Sequence, residues 1–396
     1  MADLLSIDDA LAAVLARVVP LEGDEVAVGD AAGRVLAAPA RAAVDLPPFA
    51  SSAMDGFAVR ADDAPGELPV VARIAAGRPV GRALGVGEAM AISTGGVVPA
   101  GADSVVPIEN VEDAGDRIRV PASVGKGDNI RRRGGDVEAG GTVLGAGTWL
   151  GPAQVGALAA AGLATVVCSR RPRAAVLATG TELRPPGASL ADGEIYESNT
   201  YTLGAQLANA GAVVERLPRV EDDEAATRDA LERGLAADVL VTSGGVSVGP
   251  HDLVRRALAD LGAEEVFWRV AVRPGKPVAF AVRGRTLVFG LPGNPVSSLV
   301  AFELFVRPAL LALQGASRPR PPYRPARLGR SVRRSPARDT LLRARSHVED
   351  GAIVVDPVVG QESHMIVRAA DADSLVVVPR GDGELPPGAT VDCLAL

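Results

Sequence analysis

The chain has 396 residues, enough for two to four domains, since one domain usually takes about 150 residues. Its residues are 47% hydrophobic and 22% charged, which excludes wholesale disorder and supplies several cores. Acidic residues outnumber basic ones by 48 to 41, and this net charge of −7 argues against a general nucleic-acid binder, because duplex binding needs a basic surface.

Lysine is almost absent from the chain. Only Lys126 and Lys276 are lysines, so arginine supplies the rest of the 41 basic residues. A GC-rich genome, which encodes arginine wherever a positive charge suffices, accounts for this imbalance. The two lysines then mark places where a compact ammonium group is needed.

The N-terminal part of the chain changes from helical to strand-like patterning. Ser6 caps an amphipathic helix, Asp9 completes its capping box and Pro20 ends it. From 26 to about 143, short β-branched runs alternate with Gly, Pro and Asp clusters. This pattern predicts a strand-rich region with many loops.

The uncharged stretch 139–169 could be mistaken for a membrane span. Its seven glycines and Pro152 instead divide it into turn, helix and strand. The start of the chain lacks the basic and apolar regions of a secretory signal, and the two cysteines, Cys168 and Cys393, lack a metal or redox spacing. We therefore expect a soluble, cytoplasmic protein.

A regular alternation of strands and helices begins near 173. The predicted strands are 174–178, 213–217, 238–242, 266–272, 278–282 and 287–290, and the predicted helices are 198–211, 222–234, 253–261 and 295–314. This alternation predicts a multidomain α/β protein whose central domain is doubly wound around a parallel sheet.

The chain changes composition again after 316. A Pro/Arg-rich stretch, 317–338, predicts a linker that leads into a small β domain. Ten arginines and one acid lie between 316 and 345. Such a run could bind RNA, but a solvated linker or a patch facing a small anion fits the net acidic chain better.

Glycine and hydroxyl residues follow two strands of the α/β region. They are Thr179, Gly180 and Glu182 in one loop, and Ser243, Gly244, Gly245, Ser247 and Gly249, with Asp252 behind them, in the other. Open α/β sheets bind ligands at this edge, where free backbone N–H groups and hydroxyls can hold phosphate oxygens. Ordinary tight turns account for the spacing equally well, since neither loop matches a nucleotide fingerprint.

A rigid turn and a helix start form a second cluster. Lys276 lies in a Pro-Gly-Lys-Pro turn, and Pro295 opens a helix whose first turn carries Ser297. A lysine beside a helix N-terminus suits an oxyanion, although a solvated turn and a well-capped helix are the simpler interpretation.

Several loop carboxylates are candidate ligands for a hard cation. They are Asp55, Asp136, Glu182 and Asp252. Mg²⁺ prefers one or two carboxylates plus substrate phosphates, but Asp and Glu in loops more often serve turns and caps. The histidines lack a zinc spacing, so a zinc hydrolase is not supported.

Taken together, these strings resemble the MoeA family, the molybdenum insertases that also include the E domain of gephyrin. The matching segments are 52–59, 94–96, 101–103, 129–134, 179–183, 198–199, 243–252, 274–277, 291–297 and 360–365. They cover nearly the whole chain in order. Each segment alone is a weak indication of the family, whereas their combination in this order is specific to it.

The resemblance implies an activity and an architecture. Molybdate is inserted into the dithiolene of adenylylated molybdopterin, releasing AMP and the molybdenum cofactor, with Mg²⁺ as cofactor. The implied protein is an elongated homodimer of four-domain chains: a linking domain (1–44 and 141–172), a strand-rich inserted domain (45–140), an α/β domain resembling molybdopterin adenylyltransferases (173–317) and a C-terminal β-barrel-like domain (318–396). Implied partners are molybdopterin adenylyltransferase and molybdoenzymes or their chaperones, with neither nucleic acid nor membrane.

The resemblance also implies roles for residues. Molybdate would lie near Lys276, Ser297, Arg343 and Ser363, and the pterin phosphate and the adenylate along 179–182 and 243–249. Glu182 and Asp252 would hold Mg²⁺. Asp55, Thr94 and Asp136 would complete the cleft from the partner subunit.

The chain departs from the family pattern at four positions. Arg273 replaces a common lysine, Thr181 stands where an acid is common, and Gly96 and Gly135 replace bulkier or acidic residues. These departures leave room for a paralogue of altered activity. Two other functions stay open: a molybdopterin adenylyltransferase, and a non-catalytic scaffold of the gephyrin E-domain type.

Overall fold

The computed structural model describes residues 4–245 and 253–396. The N-terminal helix, Ile7–Leu15, begins as its sequence predicts. The Ser6 hydroxyl accepts a hydrogen bond from the backbone N–H of Asp9 at 3.0 Å and donates one to the Asp9 carboxylate at 2.7 Å. The buried face of this helix packs into the core of the α/β region.

The segments on either side of the strand-rich region pair with each other. Gly23–Ala27 runs antiparallel to Thr165–Ser169, and Ala40–Arg41 runs antiparallel to Thr142–Leu144. The helix Pro152–Ala160 packs with them around a small core of its own. The strand-rich region is therefore inserted between paired segments, while the predicted domain boundaries stay predictions.

The inserted region forms a six-stranded sheet. Its strands lie in the order Ser104–Pro107, Gly56–Val59, Ala89–Ile92, Gly66–Ile74, Arg117–Val120 and Glu112–Asp113. The two edge strands follow each other in the chain through the short 3₁₀ helix Ile108–Asn110. Two more short strands, Ser51–Ser52 and Ile130–Arg131, pair antiparallel.

The α/β region has a six-stranded sheet covered by helices on both faces, as predicted. The strands lie in the order Val213–Arg216, Arg173–Ala178, Val239–Ser243, Thr286–Leu291, Ala279–Arg283 and Glu264–Trp268. The helices are Asn199–Asn209, Glu224–Gly234, Leu253–Asp260, Pro295–Ala301 and Arg307–Leu313. The first four strands are parallel to one another, and Ala279–Arg283 runs antiparallel to both of its neighbours. The turn at 284–285, which joins it to Thr286–Leu291, is too short for a crossover.

The last two helices are joined by a π-helical turn, Phe302–Val306, into one continuous helical segment. Among the described residues, this segment, Pro295–Leu313, alone is long and apolar enough to cross a membrane, with a mean hydropathy of 1.7. Because 78% of its most apolar window is buried inside the protein, it is a core helix.

The C-terminal region closes into a five-stranded barrel, as the β-barrel-like prediction expects. The strands follow the order Asp339–Glu349, Ala352–Pro357, Arg324–Leu328, Thr390–Ala395 and Ser374–Val378, and the last pairs with the first. The stretch 317–338, predicted as a linker, already contains the barrel strand Arg324–Leu328, so the linker prediction is wrong beyond 323. Two of its arginines, Arg324 and Arg327, occupy exposed positions of that strand, so a Pro/Arg-rich composition does not exclude a strand here.

One strand of the barrel sheet comes from the α/β part of the chain. Val272–Arg273 pairs in parallel with Asp339 and Thr340 at the edge of the barrel. The single strand predicted at 266–272 is therefore two, since Glu264–Trp268 stays in the α/β sheet. Three short elements complete the described chain: the paired strands Leu183–Arg184 and Ile195–Tyr196, the paired strands Val332–Arg333 and Glu384–Leu385, and the helix Ile366–Ala369.

Candidate active site

Three parallel strands end side by side and open into a cavity. Ala178 lies opposite Ser243, and Ser243 lies opposite Leu291, at the carboxyl ends of these strands. The loops that follow line a cavity of about 810 Å³. Six predicted residues are on its wall: Thr179, Gly180, Glu182, Ser243, Gly244 and Gly245. This is the crevice in which open α/β sheets bind ligands.

Two glycines bring the second loop close to the first. Gly244 and Gly245 have φ angles of +95° and +66°. A Cβ on Gly244 would lie 2.6 Å from the Thr179 carbonyl oxygen, and one on Gly245 would lie 2.5 Å from Val254 Cγ2. Both the backbone conformation and the lack of space therefore require glycine here.

The backbone N–H groups of these loops are less available than expected. The N–H of Thr179 donates to Ser243 O, that of Gly180 to Val220 O and that of Gly244 to Leu291 O, each at 3.1 Å. The expectation of free N–H donors is wrong at these three positions, because the short loops are tied to the strand ends. The buried Thr179 Oγ1 has no hydrogen-bond partner in the part of the chain that the structure describes.

Asn199 connects three sides of the cavity. Its Nδ2 donates to Ser243 Oγ and to the Gly293 carbonyl oxygen, both at 2.7 Å, and Ser243 Oγ in turn donates to Pro292 O at 3.3 Å. The predicted ligand Ser243 is thus held by protein groups. The Asn199 Oδ1 is buried and has no partner among residues 4–245 and 253–396, which leaves one acceptor for a ligand donor.

Two carboxylates line one wall of the cavity. Glu182 is exposed there, and its Oε2 lies 2.6 Å from where a Gly180 Cβ would be, so it folds back over the loop. Asp222, which the sequence did not single out, also lines the cavity and accepts a hydrogen bond from Thr181 Oγ1 at 3.0 Å. The predicted residues Ser247, Gly249 and Asp252 lie outside the described residues.

Lys276 extends from a turn at the border of the cavity. Its side chain is exposed, and its neighbour Pro277 lines the wall. Within the described chain, the Lys276 ammonium has no ion-pair partner. Gly275, with φ +107°, lies against the backbone of Ser297: its Cβ would be 3.5 Å from Ser297 O. The structure therefore places the lysine turn beside the helix start.

The helix start is closed by the C-terminal region. Ser297 is buried, and the N–H of Val296 donates to the carbonyl oxygen of Ser363 at 3.0 Å. The next residue after Ser363, His364, lines the cavity. The predicted oxyanion residues Lys276, Ser297 and Ser363 thus belong to neighbouring segments of two domains.

Arg343 lies behind this loop instead of in the cavity wall. Its side chain is fully buried, and its guanidinium donates to Gly360 O at 2.8 Å and Gln361 O at 3.2 Å. The Gln361 side chain accepts a hydrogen bond from the backbone N–H of Arg343 and donates one to its carbonyl oxygen. Burial lowers the pKa of the Arg343 guanidinium. In this arrangement Arg343 shapes the loop that carries Ser363.

The predicted residues of the inserted region gather on loops of their own. Asp55 Oδ1 accepts a hydrogen bond from the backbone N–H of Thr94 at 2.8 Å. Asp136 is exposed on another loop, where its backbone N–H donates to Leu46 O at 2.9 Å. None of the three lines the 810 Å³ cavity of this chain.

Sequence reasoning missed several residues on the cavity wall, among them Tyr196, Asn199, Asp222 and His364. Asn199 and His364 were within strings matched to the family, but no role was assigned to them. Asp222 and Tyr196 lie in segments without a glycine or hydroxyl pattern. Their position follows from the tertiary fold alone.

Comparisons with known proteins agree along the whole chain. The MoeA N-terminal region (domain I and II) matches residues 5–162, a probable molybdopterin binding domain matches 175–312, and the MoeA C-terminal region (domain IV) matches 325–396. Molybdopterin molybdenumtransferase 2 of Mycobacterium tuberculosis is 38% identical, with 92% of each chain covered. Molybdopterin molybdenumtransferase of Haemophilus influenzae is 34% identical, with 98% of each chain covered.

A solved structure of similar architecture supports the same assignment. A molybdopterin biosynthesis MoeA protein from Pyrococcus horikoshii is 31% identical and superimposes with a TM-score of 0.78, covering 99% of each chain. A further crystal structure of that name and organism is 27% identical, with a TM-score of 0.84 over the full length of both chains. The chain therefore belongs to the MoeA family of molybdopterin molybdenumtransferases.

Proposed function

We propose that this enzyme of molybdenum cofactor biosynthesis inserts molybdate into the dithiolene of adenylylated molybdopterin and releases AMP. The observation that carries this proposal is the cavity itself. At about 810 Å³ it is large enough for a large part of an extended pterin nucleotide, and it borders on an exposed lysine turn suited to an oxyanion. The two binding functions that the reaction needs are thus adjacent.

The charge of the cavity supports a role for Mg²⁺. Its described lining includes the carboxylates of Glu182, Glu197 and Asp222 but neither lysine nor arginine. Such a wall repels a bare pyrophosphate, and a divalent cation between wall and ligand removes the repulsion.

The donor set fits a magnesium ion shared with the substrate. Among the described residues, no group of three or more His, Cys, Asp or Glu forms a closed metal site. Mg²⁺ instead takes one or two carboxylates, phosphate oxygens and water. Glu182 would hold it, with Asp252 as the second ligand predicted from the sequence. When bound, the ion would polarise the phosphoryl bond that is broken.

Residues of this chain would bind the rest of the substrate. The unpartnered Thr179 Oγ1 would donate to a phosphate oxygen, and Asn199 Oδ1 would accept from a ligand N–H or O–H group. Lys276 would attract molybdate, with Ser297 and Ser363 beside it. Arg343 would act through the 360–363 loop.

We propose that the working enzyme is a homodimer with composite sites. Asp55, Thr94 and Asp136 gather on the inserted region but do not reach the cavity of their own chain. In the dimer they would complete the cavity of the partner subunit. The expected protein partners are the adenylyltransferase that supplies the substrate and the molybdoenzymes or chaperones that receive the cofactor.

A cytoplasmic location is part of the proposal. Cys168 and Cys393 are both free and buried, as in proteins of reducing compartments. The apolar helix Pro295–Leu313 is mostly buried in the core.

The reaction can be tested with the purified full-length protein. Incubation with adenylylated molybdopterin, molybdate and Mg²⁺ should release AMP and yield a cofactor that activates an apo-molybdoenzyme. Omitting molybdate is the control for the cofactor. Absence of both products would refute the proposal, and ATP consumption with molybdopterin alone would favour the adenylyltransferase alternative.

A further inference from the structure

A hydrogen-bonded ribbon forms one wall of the cavity, and the proposed function gives a role only to its two end residues, Glu182 and Glu197. We define the ribbon as residues 182–197, which leave the sheet after Ala178 and return to the start of helix Asn199–Asn209. Its two short strands pair in parallel, with Leu183 opposite Ile195 and Arg184 opposite Tyr196. The N–H of Ile195 donates to Glu182 O at 3.0 Å, and that of Glu197 donates to Arg184 O at 2.8 Å.

Side chains hold the ribbon in one shape. Arg184 donates to the carbonyl oxygens of Thr181 and Leu183 at 2.9 and 2.7 Å, and it forms an ion pair with Glu194. Glu194 also accepts from the N–H of Ala191 at 2.8 Å. These contacts make the ribbon a rigid wall.

The face of the ribbon that lines the cavity is apolar. Leu183, Ile195 and Tyr196 all lie on the cavity wall, and Ile195 and Tyr196 are 53% and 47% exposed. Large apolar side chains left open in a concave site indicate contact with a ligand. Outside the ribbon the described lining holds one further large aliphatic side chain, Ile366, so the ribbon carries three of the four large apolar side chains of the cavity.

The ring of Tyr196 is fixed in place. Its hydroxyl donates to the Ala188 carbonyl oxygen at 2.9 Å, within the ribbon itself. The backbone holds the ring at one end and this hydrogen bond holds it at the other. A fixed, half-exposed aromatic ring is a platform on which a flat heteroaromatic ring stacks with little loss of side-chain entropy.

We propose that Tyr196, with Ile195 and Leu183, binds the adenine ring of the adenylylated substrate and of product AMP. This inference rests on the proposed function, since that function supplies a nucleotide. Two heteroaromatic rings compete for the wall, the pterin and the adenine. The pterin must bring its dithiolene to the segments of Lys276, Ser297 and Ser363, which belong to other elements of the site. The ribbon begins at Glu182, where the phosphates are expected, so the ring attached beyond the phosphates faces it.

Nucleotide binding by the full-length protein tests this subsite. AMP, with Mg²⁺ present, is titrated into the wild type and into Tyr196→Ala, Tyr196→Phe and Tyr201→Ala, and the heat of binding is measured. Tyr196→Ala should weaken AMP binding by about 5- to 100-fold, the range that base–aromatic stacking contributes by alanine substitution. Tyr196→Phe should stay within about twofold, because the ring is kept while the hydrogen bond to Ala188 is lost.

Two controls separate stacking from damage to the site. Tyr201 is 50% exposed, does not line the cavity and lies under the Arg216 guanidinium, so Tyr201→Ala should bind AMP as the wild type does. Ribose 5-phosphate, which lacks the base, should bind the wild type and Tyr196→Ala equally well.

The outcomes divide clearly. Unchanged AMP binding in Tyr196→Ala, an equal loss for ribose 5-phosphate, or no AMP binding by the wild type would each overturn the adenine subsite. Cofactor formation is assayed in the same preparations. Normal cofactor formation without the AMP pattern rejects only the subsite, whereas the AMP pattern without cofactor formation rejects molybdate insertion and keeps the subsite.

Discussion

Lys276 extends from a turn that is closed by backbone hydrogen bonds on both sides. Its carbonyl oxygen accepts from the N–H groups of Val270 and Val278 at 3.1 and 3.0 Å. The backbone is therefore fixed while the ammonium stays exposed. A compact cation on a fixed turn suits a small tetrahedral anion.

We expect Lys276→Ala to raise the KM for molybdate by about 10- to 100-fold, because a charge-assisted hydrogen bond is lost. The affinity for molybdopterin should change much less, and the melting temperature should stay the same. Steady-state kinetics with varied molybdate measures the first effect, and Lys276→Arg is the charge-matched control. An equal loss of pterin and molybdate binding would show that Lys276 does not hold the oxyanion.

The other lysine of the chain is structural. Lys126 Nζ lies 3.1 Å from Asp62 Oδ2 and 3.8 Å from Asp103 Oδ2. The hydrogen bond to Asp62 raises the pKa of Lys126. The turn motif and the family resemblance already distinguish Lys276 from Lys126 in the sequence, and the structure adds that Lys126 pairs with two carboxylates of the inserted region.

At the scale of elements, the long core helix carries a buried polar group. Glu303 lies in the π-helical turn and is 4% exposed. Its carboxylate accepts from Arg307 Nε at 2.5 Å and from Gln206 Nε2 at 2.7 Å. Gln206 belongs to the helix Asn199–Asn209, which begins at the cavity. The hydrogen bond between Gln206 and Glu303 therefore joins two core helices.

We expect Glu303→Ala to destabilise the protein by about 2 kcal/mol, because it removes the carboxylate that pairs with Arg307 and leaves Gln206 Nε2 with Leu299 O alone as acceptor. A lower melting temperature in calorimetry measures this loss. Glu303→Gln, which keeps one acceptor and the side-chain volume, should retain more of the stability. A melting temperature of Glu303→Ala equal to that of the wild type would contradict the expectation.

Local patterns predicted most elements of the α/β region, and their failures have physical causes. The alternation of apolar runs in 173–314 located the strands and helices of this region, since hydrophobic periodicity can be recognised in a single sequence. The π-helical turn at Phe302–Val306 and the transfer of Val272–Arg273 to the barrel sheet leave no local pattern. Both depend on contacts with segments distant in sequence.

The candidate site, like the fold, was predictable where a local pattern determines it and not where distant contacts do. Thr179, Gly180 and Glu182 could be located because the ends of parallel strands form a crevice by rule. The position of Arg343 behind its loop could not be predicted from the sequence, because it depends on which carbonyl oxygens the guanidinium contacts in the folded chain. The same holds for Tyr196, whose ring is set by a bond to Ala188 across the ribbon.

At the scale of the molecule, the composite dimer predicts complementation between inactive subunits. Asp55→Ala and Lys276→Ala should each be poorly active alone. A mixed dimer has one cavity with an intact lysine and an intact Asp55 of the partner subunit. Mixed dimers isolated after co-expression through two purification tags should therefore have about half of the wild-type cofactor formation, since one of their two cavities is intact. Mixed dimers no more active than either parent would show that both residues serve one subunit's cavity.

The strand Val272–Arg273 joins the α/β part of the chain to the C-terminal barrel. It is hydrogen-bonded into the edge of the barrel, and the N–H of Asp339 also donates to Ala271 O at 3.0 Å. Three residues after the strand, the same backbone presents Lys276. The turn of Lys276 is therefore tied to the α/β part by Val270 and Val278 and to the barrel by the strand that precedes it. The docking of the C-terminal domain and the position of the charge for the oxyanion are thus coupled through one short strand.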